Sequence, residues 1–348
     1  MKRLLPYTLV LVTSVLFLTV PGRGMTETFA PGKCDQGDCQ DGDGMMVFTN
    51  GDKYVGKFIN GLPEGNGALI SHAGSIQEGV FMKGLSMGKG AQIEADGSKY
   101  VGQFYSGLHN GYGEKNEASG SHYKGLWRNS EFYQGQGLML GADGSRYDGE
   151  FKNKLFHGQG RLTESDGTTY EGIFKNGKLE GLSKKSSPDG TVFNGLFKEG
   201  KYDGAGTLVM ADGSRYEGDF RDGEFSGQGV LTWKDGRKYK GEFDKGHYNG
   251  QGVLTSTDGS EYRGMFKDDK YNGRGVLVNK EGERLEGEFV DNVYLEINDH
   301  KPAIPENLIR LESDEKDPAA PGQKGVESLD TPGPAPVSKG SDAPRQPK

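Results

Sequence analysis

The sequence predicts an all-β protein: an elongated, twisted, single-layer antiparallel sheet of repeated β-hairpins. The first observation behind this prediction is the motif Tyr-x-Gly-x-Phe, which recurs in steps of 23 residues with a single step of 24. The second is a Gly-x-Gly pair in almost every unit, such as Gly65 and Gly67. The third is an Asn-Gly or Asp-Gly dipeptide ahead of the next motif, such as Asp212 and Gly213. Such dipeptides tolerate positive φ and mark tight turns, so two short strands and two turns fill each unit.

The repeat motif is present in about eleven units. Side chains alternate between the two faces of a strand, so the Tyr, Gly and Phe of one motif share a face. We interpret the glycines as space for rings from adjoining strands and not as a catalytic loop. The motif residues are Tyr54, Gly56, Phe58, Tyr100, Gly102, Phe104, Tyr123, Gly125, Trp127, Tyr147, Gly149, Phe151, Tyr170, Gly172, Phe174, Tyr216, Gly218, Phe220, Tyr239, Gly241, Phe243, Tyr262, Gly264 and Phe266, with further copies starting at Phe193, Gln77 and Leu285.

Composition and charge restrict the classes of function. Gly supplies 59 of the 348 residues and apolar residues only 32%, which favours a thin, turn-rich sheet over a large buried core. The formal net charge of -8 opposes phosphate binding, because a nucleic-acid site needs a basic stripe that releases counterions. The sequence therefore predicts no nucleic-acid partner, and it disfavours an anionic membrane surface for the same reason.

Residues 1–30 are predicted to be a signal peptide or an N-terminal anchor. Lys2 and Arg3 precede an apolar stretch from Leu4 to Val20, and small and polar residues follow as far as Ala30. This order is typical of a signal peptide, although the apolar stretch also reaches the roughly 17 residues that span a bilayer. We favour cleavage and export to the periplasm, the cell envelope or the extracellular space. The alternative is an uncleaved inner-membrane anchor.

The two cysteines, Cys34 and Cys39, follow this segment closely. In an oxidising compartment we expect them to form a disulfide that closes a small loop. Two thiols alone cannot complete a tetrahedral metal shell. The neighbouring aspartates suggest calcium, but a calcium loop also needs spaced carbonyls and a bidentate Glu, which are not evident. We therefore predict no metal site.

No set of residues is nominated for catalysis or for a cofactor. The Gly-x-Gly pairs never open a helix after a buried strand, as a dinucleotide fingerprint requires. Carboxylates on an open sheet are solvated, whereas general acid catalysis needs desolvation or a like-charge partner. The histidines fall at different phases of the repeat, and most are expected in solvated turns: His72, His109, His122, His157, His247 and His300. The sequence thus predicts a non-enzymatic protein.

The repeat resembles the MORN family, named for membrane occupation and recognition nexus. The family pattern, Tyr-x-Gly-x-Phe-x-x-Gly-x-x-x-Gly-x-Gly, is matched from Tyr216 to Gly229. The resemblance implies a MORN-repeat array over residues 51–292, preceded by a cap and half repeat at residues 31–50. Its Cys-x-x-Gly-Asp-Cys opening is similar to segments that precede such arrays in bacterial exported proteins. The chain departs from the pattern at Gln77, Lys115, Trp127, Ser183, Lys185 and Leu285, and we expect those units to be looser.

The residues after the array are predicted to form two segments. Residues 293–314 are interpreted as a C-terminal cap, in which Pro305 to Asp314 forms a short helix. Residues 315–348 are rich in Pro, Gly and Ser and too poor in apolar residues to fold, which predicts a disordered tail.

Two hypotheses for function follow. The favoured one is a non-enzymatic exported scaffold whose long repeat surface binds a protein. The aromatic row offers one surface, although its rings are expected to pack mostly on glycines. The opposite face offers an interrupted apolar strip, interpreted as a partner patch, at Val80, Leu126, Ile173, Leu196 and Met265. The alternative, which the family name implies and the acidic balance opposes, is a peripheral membrane or phospholipid-binding protein.

Overall fold

A computed structural model describes residues 32–295, and within that range every regular element is a β-strand. The predicted all-β class is therefore confirmed. The predicted signal, C-terminal helix and tail lie outside the described residues. The strands are β1 (Lys33–Gly37), β2 (Asp43–Val47), β3 (Lys53–Ile59), β4 (Leu62–Ile70), β5 (Ile76–Met82), β6 (Leu85–Ile93), β7 (Lys99–Tyr105), β8 (Leu108–Asn116), β9 (His122–Arg128), β10 (Glu131–Leu140), β11 (Arg146–Lys152), β12 (Leu155–Thr163), β13 (Thr169–Lys175), β14 (Lys178–Ser186), β15 (Val192–Lys198), β16 (Lys201–Val209), β17 (Arg215–Arg221), β18 (Glu224–Thr232), β19 (Lys238–Asp244), β20 (His247–Thr255), β21 (Glu261–Lys267), β22 (Lys270–Val278), β23 (Arg284–Val290) and β24 (Val293–Leu295).

The strands pair antiparallel in chain order, and they belong to two compact units. In the first unit, Met1–Leu85, β1 to β5 pair consecutively. In the second unit, Ser86–Lys348, consecutive pairing continues through the later strands to β24. Each predicted repeat supplies one hairpin, whose odd-numbered strand carries the Tyr-x-Gly-x-Phe motif. The prediction of an antiparallel sheet of repeated hairpins is confirmed.

The single 24-residue step in the period has a structural cause. It separates Tyr123 from Tyr147 and contains β10, which has 10 residues where the neighbouring β8 and β12 have 9. The pairing of β10 with β9 skips one residue, between Phe132 and Gln134, whereas the ordinary hairpin of β17 and β18 skips two, so this hairpin has a different bulge from its neighbours.

Two kinds of turn alternate along the chain. The hairpin turn, inside each repeat, places two residues at positive φ, as at Asn60 (51°) and Gly61 (75°), which is the type I′ geometry favoured by twisted hairpins. The linking turn, between repeats, contains the Asp-Gly dipeptide that the sequence marked as a tight turn. In it, Asp212 accepts hydrogen bonds from the backbone N–H of Ser214 at 2.8 Å and from its hydroxyl at 3.0 Å.

The core consists of rings on one side of the sheet, which we call the aromatic face. Tyr216 packs edge-on against Phe220 in its own strand at 5.0 Å between centroids and against Phe243 of the next repeat at 5.1 Å. It also stacks on Phe225 of β18 at 3.7 Å. Each repeat therefore buries its rings against its own second strand and against the following repeat.

Glycine pairs make room for these rings. Gly218 and Gly229 lie opposite each other in β17 and β18. A Cβ atom added at Gly229 would lie 2.4 Å from the Tyr216 hydroxyl oxygen, and one at Gly160 would lie 2.4 Å from that of Tyr147. Any side chain at these positions would displace the ring. The interpretation as packing space is confirmed for Gly218, Gly229 and Gly160. It was wrong for the first glycine of the Gly-x-Gly pairs: Gly65 has a φ of 67°, and a Cβ atom added there would meet only the Lys57 side chain, at 3.9 Å, so this glycine serves the backbone bulge.

The sequence-based expectation for His109 was wrong. This histidine is 6% exposed and stacks on Tyr100 at 3.6 Å, in the position that Phe225 occupies against Tyr216. Its Nε2 atom lies 2.9 Å from the side-chain oxygen of Gln92. His109 is thus a core residue of its repeat and not a solvated turn residue.

Candidate functional site

The aromatic face offers little surface for a partner. Tyr100 is 2% exposed and Tyr216 is fully buried, and the same holds for most rings of the repeat motif. Burial raises the pKa of Tyr100 to about 12, although its hydroxyl donates a hydrogen bond to the Gln103 carbonyl at 3.0 Å. The rings therefore hold the repeats together, as expected from packing on glycines.

The opposite side of the sheet, which we call the open face, carries the alternate residues of each strand. In β7 these are Lys99, Val101, Gln103 and Tyr105. Equivalent positions in successive repeats form columns across the strands. Most columns of the open face contain charged or amide side chains, so an apolar residue in such a column is conspicuous.

Four residues of the predicted partner patch occupy one column of the open face in the second unit, and Val80 holds the equivalent position of β5 in the first unit. Leu126, Ile173 and Leu196, in the second unit, are 41%, 42% and 40% exposed. Val80, in the first unit, is 40% exposed. Met265 differs because its side chain is half-buried. A Cβ atom added at Gly273 would lie 3.2 Å from the Met265 Cβ atom. The structure thus leaves four of the five substantially accessible.

Two exposed apolar residues next to this column were missed in the sequence. Tyr112 is 56% exposed and pairs with Leu126, and Leu182 is 68% exposed and pairs with Leu196. Both occupy the middle position of a Gly-x-Gly or its variant. The other middle residues are mostly amides or charges, such as Gln159, so a column-by-column comparison of the repeats would have revealed both.

A groove of about 590 Å³ lies on the open face at β6 to β9. Its lining combines exposed apolar side chains, cationic side chains and the backbone of three glycines. The lining residues are Lys89, Gly90, Lys99, Val101, Gly102, Gln103, Tyr112, Gly113, Glu114, Asn116 and Lys124.

Gln103 fixes the backbone next to Tyr112. Its side-chain oxygen accepts a hydrogen bond from the Tyr112 backbone N–H at 2.8 Å. That oxygen would lie 2.0 Å from a Cβ atom added at Gly111, so the amide can lie across the strand only because residue 111 is glycine. The Tyr112 backbone is therefore held by Gln103 on one side and by its pairing with Leu126 of β9 on the other, and its side chain projects from a fixed position.

The groove carries an excess of positive charge. Its lining has three lysines and one carboxylate. The Lys124 ammonium lies 3.7 Å from a carboxylate oxygen of Glu114, with the two side chains 57% and 43% exposed. Lys89 and Lys99 are exposed and form no ion pair with any residue in the range 32–295. Anionic groups of a ligand would find two free ammonium groups here.

The later repeats of the second unit have a different open face. Between Leu196 and Val290 no described large hydrophobic side chain is as exposed as those of the earlier repeats. Ion pairs occupy the surface instead, such as Arg263 with Glu261 at 3.1 Å and Arg274 with Glu288 at 3.2 Å. The accessible apolar residues of this unit are thus confined largely to its earlier repeats and its last hairpin.

The structure joins Cys34 and Cys39 in a disulfide, with their Cα atoms 5.8 Å apart. It links Cys34 within β1 to Cys39 in the loop that leads to β2, in the first unit. Among residues 32–295, no group of three or more His, Cys, Asp and Glu side chains is arranged to hold a metal ion. Over the same range no helix has the length and apolar character needed to cross a membrane.

Comparisons with solved structures found likenesses of low overall similarity. The TCP domain of SAS-4 from Drosophila melanogaster, solved with a proline-rich motif of Ana2, is 16% identical, with a TM-score of 0.23 over 57% of this chain and 88% of that chain. The TCP10 domain of CPAP from Danio rerio is 12% identical, with a TM-score of 0.22 over 70% and 99%. Virginiamycin B lyase from Staphylococcus aureus is 11% identical, with a TM-score of 0.13 over 74% and 73%. No curated protein sequence matched the chain.

The family model for the MORN repeat matches eight segments that together span about half of the chain. They are residues 54–76, 100–115, 147–169, 170–192, 193–215, 216–236, 239–261 and 262–284. Each begins at the Tyr or Phe that is the second residue of an odd-numbered strand. The structure adds hairpins of the same form at Tyr123 and Leu285, and a strand of the same form at Gln77. MORN repeats typically serve as non-enzymatic modules that contact proteins or membranes. This chain belongs to the MORN-repeat family.

Proposed function

We propose that the chain is a non-enzymatic exported scaffold that binds another protein through the open face of its second unit. The observation that supports this most directly is the set of exposed apolar residues in otherwise polar columns, at Val101, Tyr112, Leu126, Leu182 and Leu196. Contiguous exposed apolar surface on a soluble protein commonly marks an interaction site. The aromatic face is closed by its own packing, which leaves the open face for a partner.

Two features support export. Lys2 and Arg3 followed by an apolar stretch are typical of a signal peptide. The Cys34 and Cys39 disulfide fits an oxidising compartment, where such bonds persist. We accordingly place the protein in the periplasm, the cell envelope or the extracellular space.

The titratable groups of the groove fit binding better than catalysis. Lys89, Lys99 and Lys124 are exposed, whereas a lysine that acts as a base is normally buried away from water. Glu114 is only partly buried and pairs with Lys124. The groove therefore presents charge for recognition.

Site-specific photo-crosslinking of the full chain in its native cell tests the proposal. A photoreactive phenylalanine analogue placed at Tyr112 or at Leu182 should yield a defined protein adduct that mass spectrometry identifies. The same analogue at Gln228 or Gln251, in the equivalent column of the polar repeats, should not. Equal labelling at all four positions, or no protein adduct at any, would overturn the proposal. So would lipid adducts together with salt-sensitive sedimentation on anionic vesicles, which would establish the membrane alternative.

A further inference from the structure

We propose that the groove at β6 to β9 binds an extended acidic segment of a protein, with one aromatic or aliphatic side chain of that segment against Val101 and Tyr112. This inference rests on the proposed function, because it names the kind of segment through which the partner docks. It is drawn from the shape, the apolar lining and the charge of the groove.

The size of the groove favours a short segment over a folded surface. Its volume of about 590 Å³ falls within the range of about 300 to 1,000 Å³ that is usual for ligand sites. A folded domain needs about 800 Å² of contact on each partner for a stable interface, and such contact is made by broad surfaces. An extended segment can place a few side chains in a groove of this size.

The apolar part of the lining fits one large side chain. Val101 is 50% exposed and Tyr112 is 56% exposed. Val101 stands in a column that most other repeats fill with charged residues such as Glu171 and Lys240, the exceptions being Val55 and Asn194. A tyrosine ring offers a large apolar surface at low entropic cost and is enriched at protein interfaces for that reason. Val101 and Tyr112 line the same groove, so together they offer apolar surface to one side chain of a ligand.

The charge of the lining selects an acidic segment. The groove lining contains three lysines and one glutamate, so it is locally positive although the whole chain has a net charge of -8. The pair of Lys124 and Glu114 is partly exposed, and such pairs contribute about 1 kcal/mol or less. A carboxylate of the ligand can therefore compete with Glu114 for Lys124, while Lys89 and Lys99 are available directly. Complementary charge of this kind steers association and rejects basic segments.

A bilayer fits the groove less well than a peptide. Each lysine near an anionic membrane contributes only about 1 kcal/mol, and three are present in the lining. The glycine backbone of Gly90, Gly102 and Gly113 lines the groove. An extended peptide is narrow enough to enter the groove and contact that backbone. The broad headgroup surface of a bilayer would lie across the mouth of the groove without entering it.

Fluorescence anisotropy with the full chain tests the inference. The probe is a labelled eight-residue peptide that alternates glutamate with leucine and phenylalanine. Two further peptides replace the glutamates by lysine or the apolar residues by serine. We expect binding of the first peptide only, and weaker binding when salt rises from about 50 to about 500 mM, because the exposed charges are then screened.

Repeat symmetry provides matched variants. Lys99→Glu with Lys124→Glu should weaken binding by about tenfold or more, and Tyr112→Ala should do the same. Lys238→Glu with Lys240→Glu changes the equivalent positions of a later repeat by the same charge, and Gln251→Ala truncates the column of Tyr112; both should change affinity less than about twofold. Circular dichroism and thermal unfolding establish that each variant is folded. Should Lys99→Glu with Lys124→Glu not fold, Lys99→Gln with Lys124→Gln replaces it.

The outcomes separate this inference from the proposed function. Failure of the wild type to bind the acidic peptide, or equal losses in groove and control variants, would overturn the inference alone. So would anionic vesicles that bind the wild type and compete with the peptide. If photo-crosslinks at Tyr112 persist in the lysine variants, the partner docks on the open face without using groove charge. If no protein crosslink forms at all, the proposed function fails as well.

Discussion

At the scale of single residues, the contact between a tyrosine and a glycine pair determines which partners the tyrosine ring and its hydroxyl find. The sixth repeat shows the consequence of losing it. Ser183 stands where the second glycine is expected, and its hydroxyl oxygen would lie 2.1 Å from a side chain added at Gly172. Tyr170 donates instead to a Glu164 carboxylate oxygen at 3.1 Å. The ring therefore makes different contacts where the gap beneath it is filled.

Gly229→Ala should destabilise the protein by about 1 to 3 kcal/mol, because the new methyl group overlaps the Tyr216 ring and overpacking costs that much. Chemical denaturation measures the change. In a Tyr216→Leu background the ring is absent, so the same glycine substitution should cost clearly less. An equal cost in both backgrounds would show that the glycine serves the backbone and not the ring.

His109 should make stability depend on pH. Burial lowers its pKa to about 4, with Lys115 adding to the effect, whereas an unfolded histidine titrates near 6.5. Neutral His109 therefore contributes its full stabilisation above about pH 6.5. As the pH falls toward 4, the free energy of unfolding decreases by up to about 3 kcal/mol. His109→Phe, which installs the ring found at Phe225, should flatten the difference in unfolding free energy between pH 7.5 and pH 4.5. A variant with the same pH dependence as the wild type would rule out His109 as the cause.

At the scale of elements, both kinds of turn form hydrogen bonds to a neighbouring repeat. The hairpin turns form one series, in which Gly223 donates its backbone N–H to the Tyr202 carbonyl at 2.8 Å and Gly246 donates to Phe225 at 2.9 Å. The linking turns form another, in which the Ser214 hydroxyl oxygen accepts the backbone N–H of Lys234 at 3.3 Å. Turns thus fix the spacing between repeats as well as reversing the chain.

Ser214→Ala should cost about 1 to 3 kcal/mol, because it removes a buried hydroxyl that bonds Asp212 and leaves the Lys234 N–H without that acceptor. Ser214→Thr is the matched control, because a threonine is found at the equivalent position of another repeat. There Thr168 donates its backbone N–H and its hydroxyl to the Asp166 carboxylate, at 2.7 and 3.0 Å, as Ser214 does to Asp212. Thermal unfolding should separate the two variants. If both lose stability equally, the side chain's volume matters more than its hydroxyl.

At the scale of the whole molecule, periodicity made the fold predictable and hid part of the site. The alternation of side chains in motifs such as the one at Tyr216 predicted the strands, and the Asp-Gly dipeptides predicted the turns. The recurrence of glycine beside the rings predicted its packing role. The ring-bearing column of Phe225 was missed because it varies in type and includes His109. The bulge at Gly227, with φ of 58°, depends on backbone geometry that the motif does not encode. The groove brings together residues of different strands, such as Tyr112 opposite Leu126 and Glu114 opposite Lys124, and that register cannot be read from the motif.

Strand contacts in the second unit are made chiefly between chain neighbours, so its stability should behave as a sum over repeats. Deleting residues 239–261 removes one whole repeat and brings Tyr262 into the place of Tyr239. Phe266 should then pack against Tyr216 as Phe243 does now. The shortened chain should keep its β-type circular dichroism spectrum and unfold cooperatively, with a Tm within a few degrees of the full chain.

Deleting residues 239–250 is the matched control, because it removes part of the same repeat and leaves the remaining motif out of phase. The strand that carries Tyr262 would then no longer pair with β18 as β19 does now. The rings of the following repeat would no longer lie over the glycines that make room for them. This variant should unfold at clearly lower denaturant concentration and lose near-ultraviolet ellipticity from its rings. If the two deletions behave alike, the repeats do not contribute as independent, in-phase units, and the nearest-neighbour account of stability is wrong.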